Sequence, residues 1–195
     1  MEAITKMEYA AINHPKPGRS VSGDAYVFCQ DQESTLVALI DGLGSGQAAH
    51  EAATLAQECI REHSQVPLTE LLKLCHEKLR GTRGAVMMLM RIQHLEETVS
   101  FAGVGNIGVQ VFSDAAIKPI SRNGIVGYRM TNVREFRYPY TPGDVFLLHS
   151  DGVSTRFQVD ERWVRAPHTD LQEIAKDIVD NYGKETDDIS IIVVR

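Results

Sequence analysis

Short apolar segments rich in β-forming residues recur along the 195-residue chain, and most of them are bounded by Gly, Pro, Asp or Asn. Segments of this length and composition are typical of β-strands. They predict strands at 25–29, 36–40, 85–90, 99–104, 109–112, 145–149 and 189–194.

Two other segments repeat their apolar residues at intervals of three and four, which is the spacing of a helix with one buried face. These segments are 47–61 and 170–182, and a third helix is predicted at 68–79, directly after Pro67. Residues 121–142 are rich in Gly, Asn and Pro and are predicted to be the least regular part of the chain.

The predicted order is strands, two helices, a long run of strands, a helix and a last strand. Clustered strands favour an α+β fold with mainly antiparallel sheets over an alternating βαβ chain. The length, together with the absence of repeats and of a low-complexity linker, predicts one domain over residues 1–195.

Composition narrows the class of protein. Hydrophobic residues make up 43% and charged residues 24%, which is close to ordinary soluble usage and argues against disorder. The net charge is 20 − 26 = −6, which disfavours binding to a nucleic-acid backbone. Three unpaired cysteines, the lack of a signal-peptide pattern and the lack of a long apolar segment predict a cytoplasmic protein with no membrane partner.

Aspartates stand at the ends of the predicted strands. Asp41 directly follows the strand that ends at Ile40, and Asp24 directly precedes the strand before it. Asp151 follows the strand at 145–149, and Asp187 with Asp188 precedes the final strand. Because antiparallel neighbours place the end of one strand beside the start of the next, each pair is expected to share a sheet edge if its strands are neighbours.

Several carboxylates at one edge would repel one another unless a cation neutralised them. An oxygen-only ligand set suits hard cations such as Mg²⁺ or Mn²⁺. An alternative remains for each residue alone, because Asp-Gly is a common turn dipeptide and Asp187-Asp188 is compatible with a solvated loop. The joint pattern favours a shared metal site.

Three further residues have candidate roles. Arg19 enters the same strand as Asp24 and could bind a phosphate through its guanidinium, or could be an exposed loop residue. His149 lies beside the candidate site and is expected to pack in its strand rather than to act as a proton donor. His50 on the first helix could face the site or the solvent.

One glycine pattern, Gly103-x-Gly105-x-x-Gly108, matches the dinucleotide-binding fingerprint. That fingerprint requires a helix after the glycines, whereas residues 109–112 are predicted to be a strand. A strand-turn-strand hairpin is therefore expected here, and NAD binding is not.

Six short motifs occur in the order found in the metal-dependent protein phosphatases (the PPM family), which this chain resembles from about residue 19 to residue 194. The motifs are Ser22-Gly23-Asp24, Asp41-Gly42-Leu43-Gly44-Ser45-Gly46, Arg83-Gly84-Ala85, Gly103-Val104-Gly105-Asn106, Ser150-Asp151-Gly152 and Asp187-Asp188-Ile189-Ser190. The resemblance implies two packed antiparallel sheets flanked by helices, an α-β-β-α sandwich. It also implies two Mn²⁺ or Mg²⁺ ions and hydrolysis of phosphoserine or phosphothreonine.

The same resemblance assigns the site residues. Asp41 would bridge both ions and the Gly42 carbonyl would bind one of them. Asp151 and Asp187 would hold the other ion, with the adjacent Asp188 as a further candidate ligand. Asp24 would bind an ion or orient its waters, and Arg19 would bind the phosphate.

Two departures from the family motifs resemble one subgroup of the family. Gly23 stands where many members have Glu, and Asn106 stands where an Asp is common. Both changes, and the compact length, are similar to the bacterial RsbX-type stressosome phosphatases, whose substrates are phosphorylated STAS-domain proteins. The alternative is a phosphoprotein-binding module with this fold but without turnover, because Gly23 leaves the second ion less firmly held.

Overall fold

The computed structural model describes residues 6–195, which form eleven strands and four helices. The strands are β1 (Tyr9–His14), β2 (Asp24–Gln30), β3 (Ser34–Gly42), β4 (Ala85–Gln93), β5 (Thr98–Val104), β6 (Gly108–Phe112), β7 (Gly124–Ile125), β8 (Arg129–Met130), β9 (Phe136–Pro139), β10 (Val145–His149) and β11 (Ile189–Val194). The helices are α1 (Gln47–Glu62), α2 (Leu68–Lys78), α3 (Glu161–Arg165) and α4 (Leu171–Tyr182). Residues 1–5 of the predicted domain lie outside the described residues.

The strands form two main sheets in which every neighbouring pair is antiparallel. One sheet has the order β2-β3-β4-β5-β9 and the other has the order β1-β11-β10-β6. β7 and β8 form a small separate hairpin. The predicted α+β class with antiparallel sheets is confirmed.

Three apolar layers explain how the sheets and helices stack. Side chains such as Leu39, Phe101 and Phe146 pack between the two sheets. Helices α1 and α2 cover the outer face of the five-stranded sheet, and α4 covers the outer face of the four-stranded sheet. Strands β3 and β4 are buried on both faces, which is why they are continuous apolar runs rather than alternating ones. This confirms the α-β-β-α sandwich.

Some elements differ from the sequence prediction. β1 was not predicted, because it is an edge strand whose residues are small, polar or half-exposed. Residues 121–142 contain β7, β8 and β9, each no longer than four residues, where only irregular chain was expected. The five-residue helix α3 was also unpredicted, and its Trp163 packs against the core beside α4.

The prediction of a hairpin at Gly103–Gly108 is wrong. β5 and β6 belong to different sheets, so the segment between them carries the chain from one sheet to the other. Gly105 has φ +98°, a conformation that favours glycine, and its amide donates a hydrogen bond to the Arg122 carbonyl at 2.8 Å. This crossing places Asn106 at the end of the sandwich where the aspartates lie.

Candidate metal centre

The first pair of aspartates lies on neighbouring strands. Asp24 is the first residue of β2 and pairs in register with Asp41 near the end of β3. β3 ends one residue after Asp41, at Gly42, whose amide donates a hydrogen bond to the Gly23 carbonyl at 2.9 Å. The expectation that Asp24 and Asp41 share one sheet edge is therefore confirmed.

The second pair comes from the other sheet. β10 and β11 are antiparallel neighbours, and Asp151 follows the first of them while Asp187 precedes the second. Asp41, Asp151 and Asp187 all line one cavity of about 380 Å³, so the two sheets present their carboxylates to the same space. The other lining residues are Leu43, Gly44, Val86, Asn106 and Ile125.

Burial and the repulsion of neighbouring carboxylates make Asp24 and Asp41 hard to ionise without a cation. Burial, followed by the negative charge of Asp24, raises the pKa of Asp41 to about 8. Burial likewise raises the pKa of Asp24 to about 7, although a hydrogen bond with Ser150 works in the opposite direction. The Asp24 Oδ2 atom is buried without a hydrogen-bond partner. A bound cation would stabilise the ionised forms of Asp24 and Asp41.

The donor set fits a hard divalent ion that keeps some of its water. Within residues 6–195, no three His, Cys, Asp or Glu side chains are grouped tightly enough to hold a metal ion by themselves. A cation in the cavity would need carbonyl oxygens or waters in addition to the carboxylates. Mg²⁺ is commonly held in this way, through one or two carboxylates and several waters.

The adjacent residues Asp187 and Asp188 have different surroundings. Asp188 is buried, and its two carboxylate oxygens accept the backbone N–H groups of Lys16 at 2.7 Å and Gly23 at 2.9 Å. Asp187 lines the cavity and accepts the Asp188 amide at 2.9 Å. The geometry thus favours Asp187 as the ligand and gives Asp188 a positioning role, while the ligand assignment of both residues stays a prediction.

Steric crowding explains why residue 23 is a glycine. A Cβ atom at this position would lie 2.9 Å from the Ala49 Cβ and 2.9 Å from the Asp188 Oδ2. Helix α1 and the Asp188 carboxylate therefore occupy the space that a side chain would need. The hydrogen bond from Gly23 to Asp188 holds the chain just before Asp24.

Two side chains form hydrogen bonds with Asp151, and one of them, Asn106, also lines the cavity. The Asn106 amide donates a hydrogen bond to the Asp151 Oδ2 at 3.2 Å, which orients the carboxylate without adding a charge. The Lys184 ammonium donates to the Asp151 backbone carbonyl. Sequence reasoning missed Lys184, because no motif marks a residue that acts through a backbone oxygen.

Arg19 lies beside the loop that leads into α1. Its Nη1 atom is 3.4 Å from the position that a Cβ on Gly46 would occupy, and its side chain is exposed. It is not among the residues that line the carboxylate cavity. Its phosphate-binding role stays a prediction.

The structure also shows the hydrogen-bond partners of the two candidate histidines, His149 and His50. His149 is buried, contacts the ring of Phe157 edge-on, and has its Nδ1 3.0 Å from the Ser150 carbonyl. Burial lowers the pKa of His149, which is consistent with the expected packing role. The Nδ1 of His50 lies 2.9 Å from the Ser22 carbonyl, so this side chain anchors the segment before Asp24.

Gly152 permits a close approach of the backbone, and we expect Gly152→Ala to destabilise the protein strongly. The added Cβ would overlap the Asp188 carbonyl oxygen, which cannot move without displacing the start of β11. We expect a loss of about 3 kcal/mol in the free energy of unfolding. Urea unfolding of the wild type and of Gly152→Ala measures this loss.

Gly143→Ala is the matched control for that prediction. Gly143 has φ +97° but open space around its Cβ position. Only the backbone conformation opposes the change, so a smaller loss of about 1 kcal/mol is expected. Equal losses at the two positions would show that crowding against Asp188 is unimportant.

Comparison with known proteins agrees with this geometry. The family model described as Stage II sporulation protein E (SpoIIE) matches residues 31–195. The phosphoserine phosphatase RsbX of Bacillus subtilis (strain 168) is 23% identical over 141 residues, which cover 71% of each chain.

Two solved structures extend the likeness to the whole fold. A chain solved in work on "the bacterial stressosome: a modular system that has been adapted to control secondary messenger signaling" is 32% identical, with a TM-score of 0.92 over 97% of this chain and 100% of that one. RsbX in complex with magnesium superimposes with a TM-score of 0.85 at 20% identity, over 99% of this chain and 96% of that one. The chain belongs to the SpoIIE family, within the metal-dependent protein phosphatases.

Proposed function

We propose that this protein is a metal-dependent phosphatase that hydrolyses phosphoserine or phosphothreonine on a signalling protein. The observation that carries the proposal is the convergence of Asp41, Asp151 and Asp187 from two sheets on one cavity, with Asp24 buried beside Asp41. The raised pKa values of Asp24 and Asp41 support this choice, because such shifts are typical of functional sites. A cation bound in this cavity would neutralise the carboxylates and attract an anionic substrate.

The proposed roles combine the family resemblance with the positions of the side chains. Two Mn²⁺ or Mg²⁺ ions would be held by Asp41, the Gly42 carbonyl, Asp151 and Asp187, with Asp24 as a ligand or as the acceptor of a proton from bound water. When bound, such ions lower the pKa of a water and stabilise the oxygen that leaves the phosphorus. Asn106 would keep the Asp151 carboxylate oriented, and Asp188 would hold the chain that carries Asp24.

The proposed substrates are phosphorylated STAS-domain components of a cytoplasmic stressosome. The likeness to a stressosome-associated chain over its full length, and to the phosphoserine phosphatase RsbX, supports this choice. Within the described residues, none of the helices is both long enough and apolar enough to cross a membrane. Dephosphorylation of such a scaffold would reset a stress signal.

A phosphoprotein-binding module without turnover is the second candidate, and Gly23 is the observation that favours it. The space around Gly23 is filled by Ala49 and Asp188, so no side chain there could add a ligand. Against this candidate, a pure binder has no need for a cluster of carboxylates that repel one another.

The test is release of phosphate from a phosphorylated STAS-domain protein and from p-nitrophenyl phosphate, each with EDTA, Mg²⁺ or Mn²⁺. We expect metal-dependent release from the phosphoprotein and slower release from the small ester, because the ester lacks the protein surface that positions the phosphoresidue. Metal-dependent binding of the phosphoprotein without any release would favour the binding module. Native mass spectrometry of the protein in Mn²⁺ would count the bound ions.

A further inference from the structure

A glycine-containing loop, residues 43–46, joins β3 to α1 and forms part of the wall of the carboxylate cavity. Leu43 and Gly44 line the cavity beside Asp41. Gly44 and Gly46 have φ of +95° and +73°, so both favour glycine. The loop is fixed at its start, because the Leu43 amide donates a hydrogen bond to the Gly84 carbonyl at 3.0 Å.

Two arginines lie against this loop, one at each glycine. Arg19 lies at Gly46, as described above. At Gly44, a Cβ atom would overlap the Nη1 of Arg83, so the Arg83 guanidinium lies directly on the residue that lines the cavity. The hydrogen bond between Leu43 and Gly84 keeps the segment that carries Arg83 next to the loop.

The Arg83 side chain is available to bind an anion. It is exposed, and within residues 6–195 it forms neither an ion pair nor a hydrogen bond. Arg80, three residues earlier, is also exposed but pairs with Glu77 at 2.9 Å. A guanidinium offers donors in a planar fork that matches the oxygens of a phosphoryl group.

We propose that Arg83 is a second phosphate-contacting residue, which binds the phosphoryl oxygens of the substrate from its place against Gly44. The proposal rests on the proposed function and adds to it a residue for which the family motifs suggested no role. Asp41, Asp151 and Asp187 line the cavity and would hold the cations, so a phosphoryl group bound there would present its remaining oxygens to the rim. Arg83 supplies a positive charge at that rim, on a chain whose net charge is −6.

The test uses Arg83→Ala, Arg83→Lys and the matched control Arg80→Ala. We expect Arg83→Ala to raise the KM for p-nitrophenyl phosphate and the inhibition constant of inorganic phosphate about tenfold, the loss of one charge-assisted hydrogen bond. Arg83→Lys should give intermediate values, because it keeps the charge and loses the fork. Arg80→Ala should equal the wild type, and all three should unfold at the same temperature.

Several outcomes would overturn the proposal. Unchanged KM and phosphate inhibition in Arg83→Ala would remove Arg83 from the phosphate site. A rise in KM for the phosphoprotein alone would mean that Arg83 contacts other groups of the substrate. Calorimetric binding of inorganic phosphate in Mn²⁺ needs no turnover, so weaker binding to Arg83→Ala would support the contact even if the wild type hydrolysed nothing and the proposed function failed.

Discussion

Asp41→Asn is expected to abolish metal-dependent phosphate release and, in the absence of metal, to make the protein more stable. Asp41 lines the cavity and is the residue proposed to contact both ions. Losing its charge would remove about 4 kcal/mol of transition-state stabilisation, or about 10³-fold in rate. Burial and the charge of Asp24 oppose its ionisation, so the neutral amide removes a cost of about 1–2 kcal/mol at alkaline pH.

Turnover of p-nitrophenyl phosphate in Mn²⁺ and urea unfolding in EDTA measure the two effects on the same preparations. Asp114→Asn is the matched control, because Asp114 is exposed and its ion pair with Arg165 lowers its pKa, the opposite direction to Asp41. It should keep full turnover and gain no stability. An Asp41→Asn protein that is inactive and also less stable would indicate a structural role for this carboxylate instead.

The metal-free protein is expected to lose stability as the pH rises from about 5 to about 8. The pKa values of Asp24 and Asp41 rise from 3.8 to about 7 and about 8 in the folded state. Between the unfolded and folded values the folded state binds more protons, so raising the pH favours unfolding. The expected loss in the free energy of unfolding is about 2–4 kcal/mol over this range. Saturating Mn²⁺ should restore more of this stability at pH about 8 than at pH about 6, because cations and protons compete for the same oxygens.

Urea unfolding at a series of pH values, with EDTA and with Mn²⁺, tests this linkage. The double variant Asp24→Asn, Asp41→Asn is the reference, since it keeps the histidines and every other titrating group. Its stability should depend less on pH than that of the wild type, and Mn²⁺ should stabilise it less. An identical pH dependence in both proteins would contradict the proposed coupling.

The sequence predicted the parts of the fold in which local pattern and burial agree. β3 and β4 are continuous apolar runs because both of their faces are covered, and α4 has regular apolar spacing because one of its faces packs on a sheet. β1 gave no such signal, because an edge strand such as Tyr9–His14 is defined by its partner β11 rather than by its own residues. The path from β5 to β6 was mispredicted because a short connection usually joins paired strands, whereas here Gly105 turns the chain toward the other sheet.

The candidate site was predictable as a group of strand-end aspartates but not in its details. The pairing of Asp24 with Asp41 follows from two adjacent strands, so local sequence was sufficient. The difference between Asp187 and Asp188 depends on the amide of Lys16, which is 172 positions away from Asp188 in the chain. Arg83 was passed over because its position against Gly44 arises only when the loop folds onto the start of β4.

The place of β11 bears on when this phosphatase can first act during its synthesis. β11 lies between β1 and β10, and Asp188 just before it binds the amides of Lys16 and Gly23. β1 leaves the ribosome before β11, so the four-stranded sheet and the cavity cannot close while β11 is still in the exit tunnel. A nascent chain whose β11 has not yet emerged therefore lacks the sheet that carries Asp151 and Asp187, and we expect it to be inactive until β11 pairs with β1 and β10.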